Sequence, residues 1–179
     1  MCVLVCAMVI ASVGLNVGST AVIIGAMLIS PLMGSILASA YASVSNDYPL
    51  LRKHALGFGV KIAISVTVAM LYFLLSPVKE PTVELIARTG PTFFDVLIAF
   101  FGGIAGIIGQ TREDKTTTVI PGVAIATALM PPLCTCGYSI ANARWDMLLG
   151  AGYLFIINVY FIFLSASIIL SLLKIPKTR

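Results

Sequence analysis

The stretch Gly25-Ala26-Met27-Leu28-Ile29-Ser30-Pro31-Leu32-Met33-Gly34 plants a hydroxyl and a proline in the middle of an apolar run of membrane-spanning length. Proline has no N–H and its ring crowds the carbonyl four residues back, so Pro31 removes the donor that a helix would offer to the carbonyl of Met27. In hydrocarbon such a carbonyl is costly unless a hydroxyl, a neighbouring helix, water or a ligand supplies the bond. The hydroxyl of Ser30 stands beside it. A related stretch recurs in the second half, Gly122-Val123-Ala124-Ile125-Ala126-Thr127-Ala128-Leu129-Met130-Pro131-Pro132-Leu133, where Pro131 and Pro132 free the carbonyls of Thr127 and Ala128.

Around these stretches the chain is 59% hydrophobic and only 10% charged, with a mean hydropathy of +1.07, whereas soluble domains carry roughly a quarter charged residues. The apolar runs exceed the roughly 18 residues that cross a bilayer, and they lack a two-residue alternation, so the expected class is an all-α integral membrane bundle and not a barrel. The net charge of +4 sits between the apolar runs, where it sets topology; no nucleic-acid partner is implied. The run from Met1 to Leu15 has no basic region before it, and Ala38-Ser39-Ala40 lies within the next helix, so the run reads as a short first helix and not as a cleaved leader. Four cysteines in apolar surroundings do not make a secreted disulfide framework.

Six spans are expected. The first covers residues 1–15, the second 19–45 with Pro31 inside it, the third 55–75, the fourth from Phe93, the fifth 119–141 interrupted at Pro131-Pro132, and the sixth 147–173. Between the third and fourth, Pro81 to Arg88 reads as a short surface helix with Glu84 and Arg88 at i,i+4. The fourth span holds Gly102, Gly103, Ala105, Gly106 and Gly109, small residues that allow close helix approach. The single membrane domain divides into a first repeat over 1–77, a surface loop over 78–92, a second repeat over 93–173 and a basic tail over 174–179. Seven Lys and Arg (Arg52, Lys53, Arg112, Lys115, Lys174, Lys177, Arg179) share the side of both termini and three (Lys79, Arg88, Arg144) the other. That bias places both termini in the cytoplasm of a cell (inner) membrane protein.

The repeat is legible at a shift of 97 positions, which superposes Val22 on Val119, Ile23 on Ile120, Gly25 on Gly122, Ser30 on Thr127, Leu32 on Leu129, Met33 on Met130 and Tyr41 on Tyr138. A shift of 93 lays Leu56-Gly57-Phe58-Gly59 on Leu149-Gly150-Ala151-Gly152 and Ser65 on Asn158. Two units of three spans enter the membrane from opposite sides, giving an inverted 3+3 repeat with the second and fifth helices broken by proline. Shared small-residue packing would produce part of the same likeness.

Val22 to Gly34, Arg88-Thr89-Gly90-Pro91-Thr92-Phe93-Phe94-Asp95 and Pro121 to Leu133 together resemble the prokaryotic hydrophobic-domain membrane family, a domain of unknown function numbered 389. The resemblance covers nearly the whole chain. It implies a multi-pass membrane protein, in a family of which many members carry a further soluble domain not included in these residues, and it brings no substrate.

The residues themselves point to a path for a small ion or polar solute at Gly25, Met27, Ser30, Pro31, Gly122, Thr127, Pro131 and Pro132, with Arg88, Asp95 and Lys61 at its mouth or gate. For Arg88 and Asp95 the competing reading is an interfacial cap or ion pair. Lys61 stands about two turns into the expected third helix, where a lysine either snorkels to the interface or acts in the membrane. Cys134-Thr135-Cys136 and Cys2/Cys6 lack the spacing and the histidine of a metal site, so neither metal nor cofactor is expected. His54 reads as a surface residue. With no nucleotide loop and no catalytic constellation, the chain is expected to be no enzyme. The expected function is a passive or gradient-driven channel or transporter, homo-oligomeric through its glycine-rich helices, in contact with the lipid bilayer. The alternative is a membrane scaffold or sensor that anchors a partner.

Overall fold

The computed structural model describes the backbone of residues 1–111 and 119–173 and the side chains of residues 1–109 and 129–173. Every element among the described residues is a helix, with no strand. Helix α1 (Cys2–Val17) ends at Gly18, which takes the left-handed conformation (φ 72°) that glycine adopts without strain, and its N–H returns to the carbonyl of Gly14. The chain then folds straight back into α2 (Thr20–Ile29). The two helices touch so closely that a Cβ on Gly14 would lie 2.9 Å from Ile23 Cγ1.

At Ser30-Pro31 the helix breaks. Ser30 is extended (φ −72°, ψ 128°), α3 (Leu32–Val44) begins after Pro31, and the two pieces are bent by 47°. The carbonyl of Met27 is not left bare: it accepts the N–H of Ser30 at 3.2 Å, one residue short of the proline. α4 (Tyr48–Leu75) starts earlier than the sequence suggests, because Asp47 accepts the N–H of Leu50 at 3.0 Å and Pro49 occupies the first turn, where a missing N–H costs nothing. Arg52, Lys53 and His54 therefore ride on a helix and not in a connection.

α5 (Val83–Ile86) is the expected surface helix, capped by Thr82, with Arg88 and Glu84 3.6 Å apart. α6 (Phe93–Thr111) buries Gly102, Gly103, Gly106 and Gly109 inside the chain; a Cβ on Gly103 would stand 2.8 Å from the carbonyl of Ile162 on α8. The glycine face expected to join copies is thus filled by α8 (Trp145–Leu172).

The expected proline break in the fifth span is not observed. α7 (Val119–Ala141) is one helix with Pro131 and Pro132 inside it. Proline's fixed φ is itself helical, so the two prolines need not end the helix. Close packing keeps the helix straight enough to stay whole: every residue from Leu129 to Ser139 is buried.

The elements alternate in direction. Residues 16–20, the 76–92 connection and the α7–α8 turn gather at one end, where Asn16 Nδ2 donates to Ser76 Oγ (2.8 Å), Thr82 Oγ1 to the Leu15 carbonyl (2.7 Å), Thr20 Oγ1 to Glu84 Oε1 (2.9 Å) and Tyr138 Oη to the Lys79 carbonyl (2.6 Å). At the opposite end Tyr41, Leu50, His54, Ile107 and Leu170 surround a cavity of about 350 Å³. α4 and α8 are long and apolar enough to cross a membrane, as is the bent α2–α3 pair taken as one; Cys2–Val17 and Phe93–Gly109 are shorter apolar helices.

One regularity runs through both halves. The turn leaving α3 bonds Ser45 N–H to Tyr41, Asn46 N–H to Ser43 and Asp47 N–H to Ala42; the turn leaving α7 bonds Asn142 to Tyr138, Ala143 to Ile140 and Arg144 to Ser139, each residue 97 positions on. Asn46 (φ 59°) and Ala143 (φ 51°) both adopt positive φ at the corner. α4 and α8, 28 residues each, begin and end 97 positions apart. At this spacing Asn158 falls on Lys61, whereas the shift of 93 read from Leu-Gly-x-Gly lays it on Ser65.

Candidate functional site

Lys61 is where the sequence reading changes most. With α4 starting at Tyr48, it lies thirteen residues from one end and fourteen from the other, about 20 Å from each at 1.5 Å per residue. A side chain that snorkels reaches for a helix end. This one instead donates to Ser35 Oγ at 2.6 Å and to the Pro31 carbonyl at 3.3 Å, both at the α2–α3 break. Among the described residues Arg88 pairs with Glu84, and no carboxylate forms an ion pair with Lys61.

The break supplies the rest of the site. Helix α3 begins at mid-bundle with Pro31 as its N-cap and no side-chain cap, so its first N–H groups have no intrahelical partner. Ser30 Oγ is enclosed and has no hydrogen-bond partner among the described residues. Ser39 Oγ returns to the Ser35 carbonyl at 2.8 Å, which leaves the Ser35 hydroxyl to receive Lys61. Pro31 and Gly34 are exposed, and nothing lies within 4 Å of where Cβ atoms on Gly25 and Gly34 would be. The site is therefore open on one side, while Met27 is buried behind it.

Ser65 follows Lys61 by one turn on the face that α4 turns to α7. That face is fixed by Gly137, whose Cβ would meet Met70 N at 2.8 Å, and by Phe73 and Tyr138, whose rings meet edge-on at 5.1 Å. The two helices run parallel, so Ser65 lies level with Leu133, beside the double proline. It is 0% exposed, and its hydroxyl has no partner among the described residues. Most buried helical hydroxyls here bond a carbonyl on their own helix, as Ser45, Thr135, Ser139 and Ser165 do; Ser65 does not.

The other expected residues separate. Asp95 caps α6, accepting the Thr92 N–H (2.8 Å) and hydroxyl (2.6 Å). Arg88 pairs with Glu84, and Asp95 is held by Thr92 and not by Arg88. Pro131 and Pro132 are buried in close packing on the α7 side, while Gly122 and Thr127 lie outside the described side chains. Cys134 and Cys136 are buried and Cys2 and Cys6 exposed; Ser12 Oγ lies 3.8 Å from Cys134 Sγ, and no group of three metal-binding side chains occurs among the described residues. Ser35 was missed because it matters only through Lys61, and pairing between helices leaves no mark on sequence spacing. The Asp47-Tyr48-Pro49 cap was a legible signal that would have moved Lys61 to mid-helix.

A second cavity, of about 490 Å³, lies between α3, α4 and α8 and is lined by Ser39, Phe58, Ile62, Phe155 and Val159 among others. Phe58 and Phe155, 97 positions apart, stack there with ring centroids 6.2 Å apart.

Comparison with known proteins adds a family. Residues 27–164 match the domain of unknown function DUF389, a range that holds the α2–α3 break, all of α4 and α7, and most of α8. An uncharacterized protein of Methanocaldococcus jannaschii is 28% identical over 179 residues, covering 100% of this chain and 55% of that protein. The chain thus spans about half the length of that curated relative. No solved structure matches.

Proposed function

The chain belongs to the DUF389 family, and on that premise we propose that it is an integral membrane protein that passes a small ion or polar solute, passively or down a gradient, along the α2–α3 break. The observation that carries this reading is the Lys61 ammonium held at mid-helix against the Pro31 carbonyl and Ser35. A charge within a span is expensive and rare, and it marks ion and solute pathways. An uncapped half-helix facing it is the arrangement that secondary transporters use at their binding sites.

The proposal includes six spans in an inverted 3+3 repeat, with both termini on the cytoplasmic side of the cell (inner) membrane. Its support is the regularity at 97 positions and the matching neighbours: α6 packs on α8 as α1 does on α4, α7 on α8 as α3 on α4, and α4 on α7 as α8 on α3. The α2–α3 break opens on the outer face of a single chain. Lipid would leave its polar groups unsatisfied, so a second copy covers this face in the proposed homo-oligomer. The chain acts without catalysis or cofactor.

A second reading, a scaffold or sensor that anchors a partner, is favoured by the closed packing of Leu129 to Ser139 on the α7 side. Flux into proteoliposomes over a panel of small ions and solutes separates the two. Wild-type protein should exceed both empty vesicles and a Pro31→Ala, Pro131→Ala double variant; equal leak in all three refutes the path.

A further inference from the structure

We propose that the α2–α3 break is a binding site for a small anion, an inference that rests on the solute-path reading and names the class of solute. The groups that converge there are donors. Lys61 brings an ammonium with three N–H bonds, two of them directed at Ser35 Oγ and the Pro31 carbonyl. The first N–H groups of α3 are uncapped. The Ser30 hydroxyl is enclosed without a partner among the described residues.

The charges decide between a cation and an anion. The N-terminus of a helix carries a partial positive charge, so anions are favoured beside it and cations disfavoured. Lys61 is nevertheless placed at the start of α3, and no carboxylate among the described residues forms an ion pair with it. The last carbonyls of α2 end at the same place, but they supply only a partial negative charge, and Met27 already accepts the Ser30 N–H. A metal or alkali cation entering this site would meet a full positive charge at contact range in a medium that screens poorly. An anion meets the ammonium, the N–H groups and the hydroxyl together. Size follows from access. The opening beside Gly34 and Gly25 is lined by residues with no side chain, and Ser30 and Ser35 are separated by little more than one helical turn, which suits an ion of a few atoms and not a large organic acid.

The test is flux of chloride, nitrate and formate, against sodium, potassium and glycerol, into proteoliposomes holding the full chain, in wild type, Lys61→Met and Lys61→Arg. Losing one charge-assisted partner corresponds to about a ten- to hundredfold loss, so Lys61→Met should cut anion flux by that factor while Lys61→Arg keeps most of it. Detergent gel filtration confirms that each variant is folded, and the arginine variant keeps the result interpretable if methionine misfolds. Anion flux that is unchanged in Lys61→Met overturns the site. Flux of sodium, potassium or glycerol without anion flux overturns the anion inference and leaves the path standing. No flux above empty vesicles removes both.

Discussion

Glycine positions in this bundle differ in kind, and the difference is measurable one residue at a time. Gly137 lies where α7 crosses α4, and a Cβ there would fall 2.5 Å from Ala69 Cβ and 2.8 Å from the Met70 backbone nitrogen. Backbone cannot step aside, so Gly137→Ala should lower stability by about 1–3 kcal/mol through overpacking. Gly57 has nothing within 4 Å, and Gly57→Ala should be neutral or stabilise by up to about 1 kcal/mol through helix propensity. Thermal midpoints in detergent compare the two; equal midpoints would mean that α4 and α7 do not meet at Gly137. Nothing in the sequence separates these two glycines, because both sit in apolar helical runs and only the neighbour across the gap distinguishes them. Lys61 is a different case. Its position is readable from Asp47 and Pro49, but the charged residues Arg52, Lys53 and His54 outweigh the cap, and the sequence places the helix start about two turns later than Tyr48.

At the scale of elements, proline alone does not determine a break. Pro31 ends α2, and Pro131 with Pro132 leaves α7 intact. The surroundings differ: Pro31 is exposed and its neighbour Ser30 extended, whereas Pro131 and Pro132 are buried in close packing. Sequence reading located both prolines and the equivalence of Ser30 with Thr127, but not this asymmetry, which belongs to packing. Replacing Pro31 with Ala should therefore straighten the bent pair. Nitroxides at positions 21 and 43, with Cys2 and Cys6 replaced by Ser, should move apart by about 3 Å as the 47° bend opens. The Pro131→Ala variant should leave that distance unchanged. An unaltered distance in Pro31→Ala would assign the bend to the neighbours of α2 and α3.

For the whole molecule, the all-helical class was legible because hydropathy and punctuation report it directly. The 97-position spacing of α4 and α8 was not, because Leu-Gly-x-Gly matches at a shift of 93, whereas the spacing of 97 shows in backbone hydrogen bonds of the turns around Asn46 and Ala143, whose side chains are unlike. The alternation of ends makes a prediction. Tyr48 and Trp145 are both exposed at the starts of α4 and α8, and in the proposed orientation they face opposite compartments. Tyr48→Cys should react with a membrane-impermeant maleimide only in inside-out vesicles, and Trp145→Cys only in right-side-out vesicles. Labelling of both from one side would be incompatible with the six-span topology.

The stacked pair Phe58 and Phe155 carries a consequence for origin. Each ring rests on the residue that holds its own place in the other half, and a position that meets its own counterpart is the signature of an isologous contact between two like subunits. In the proposed arrangement the fused chain preserves the geometry of a dimer in which one short protein inserted in both orientations. In that arrangement Lys61 and Asn158, 97 positions apart, mark where the two halves differ in charge.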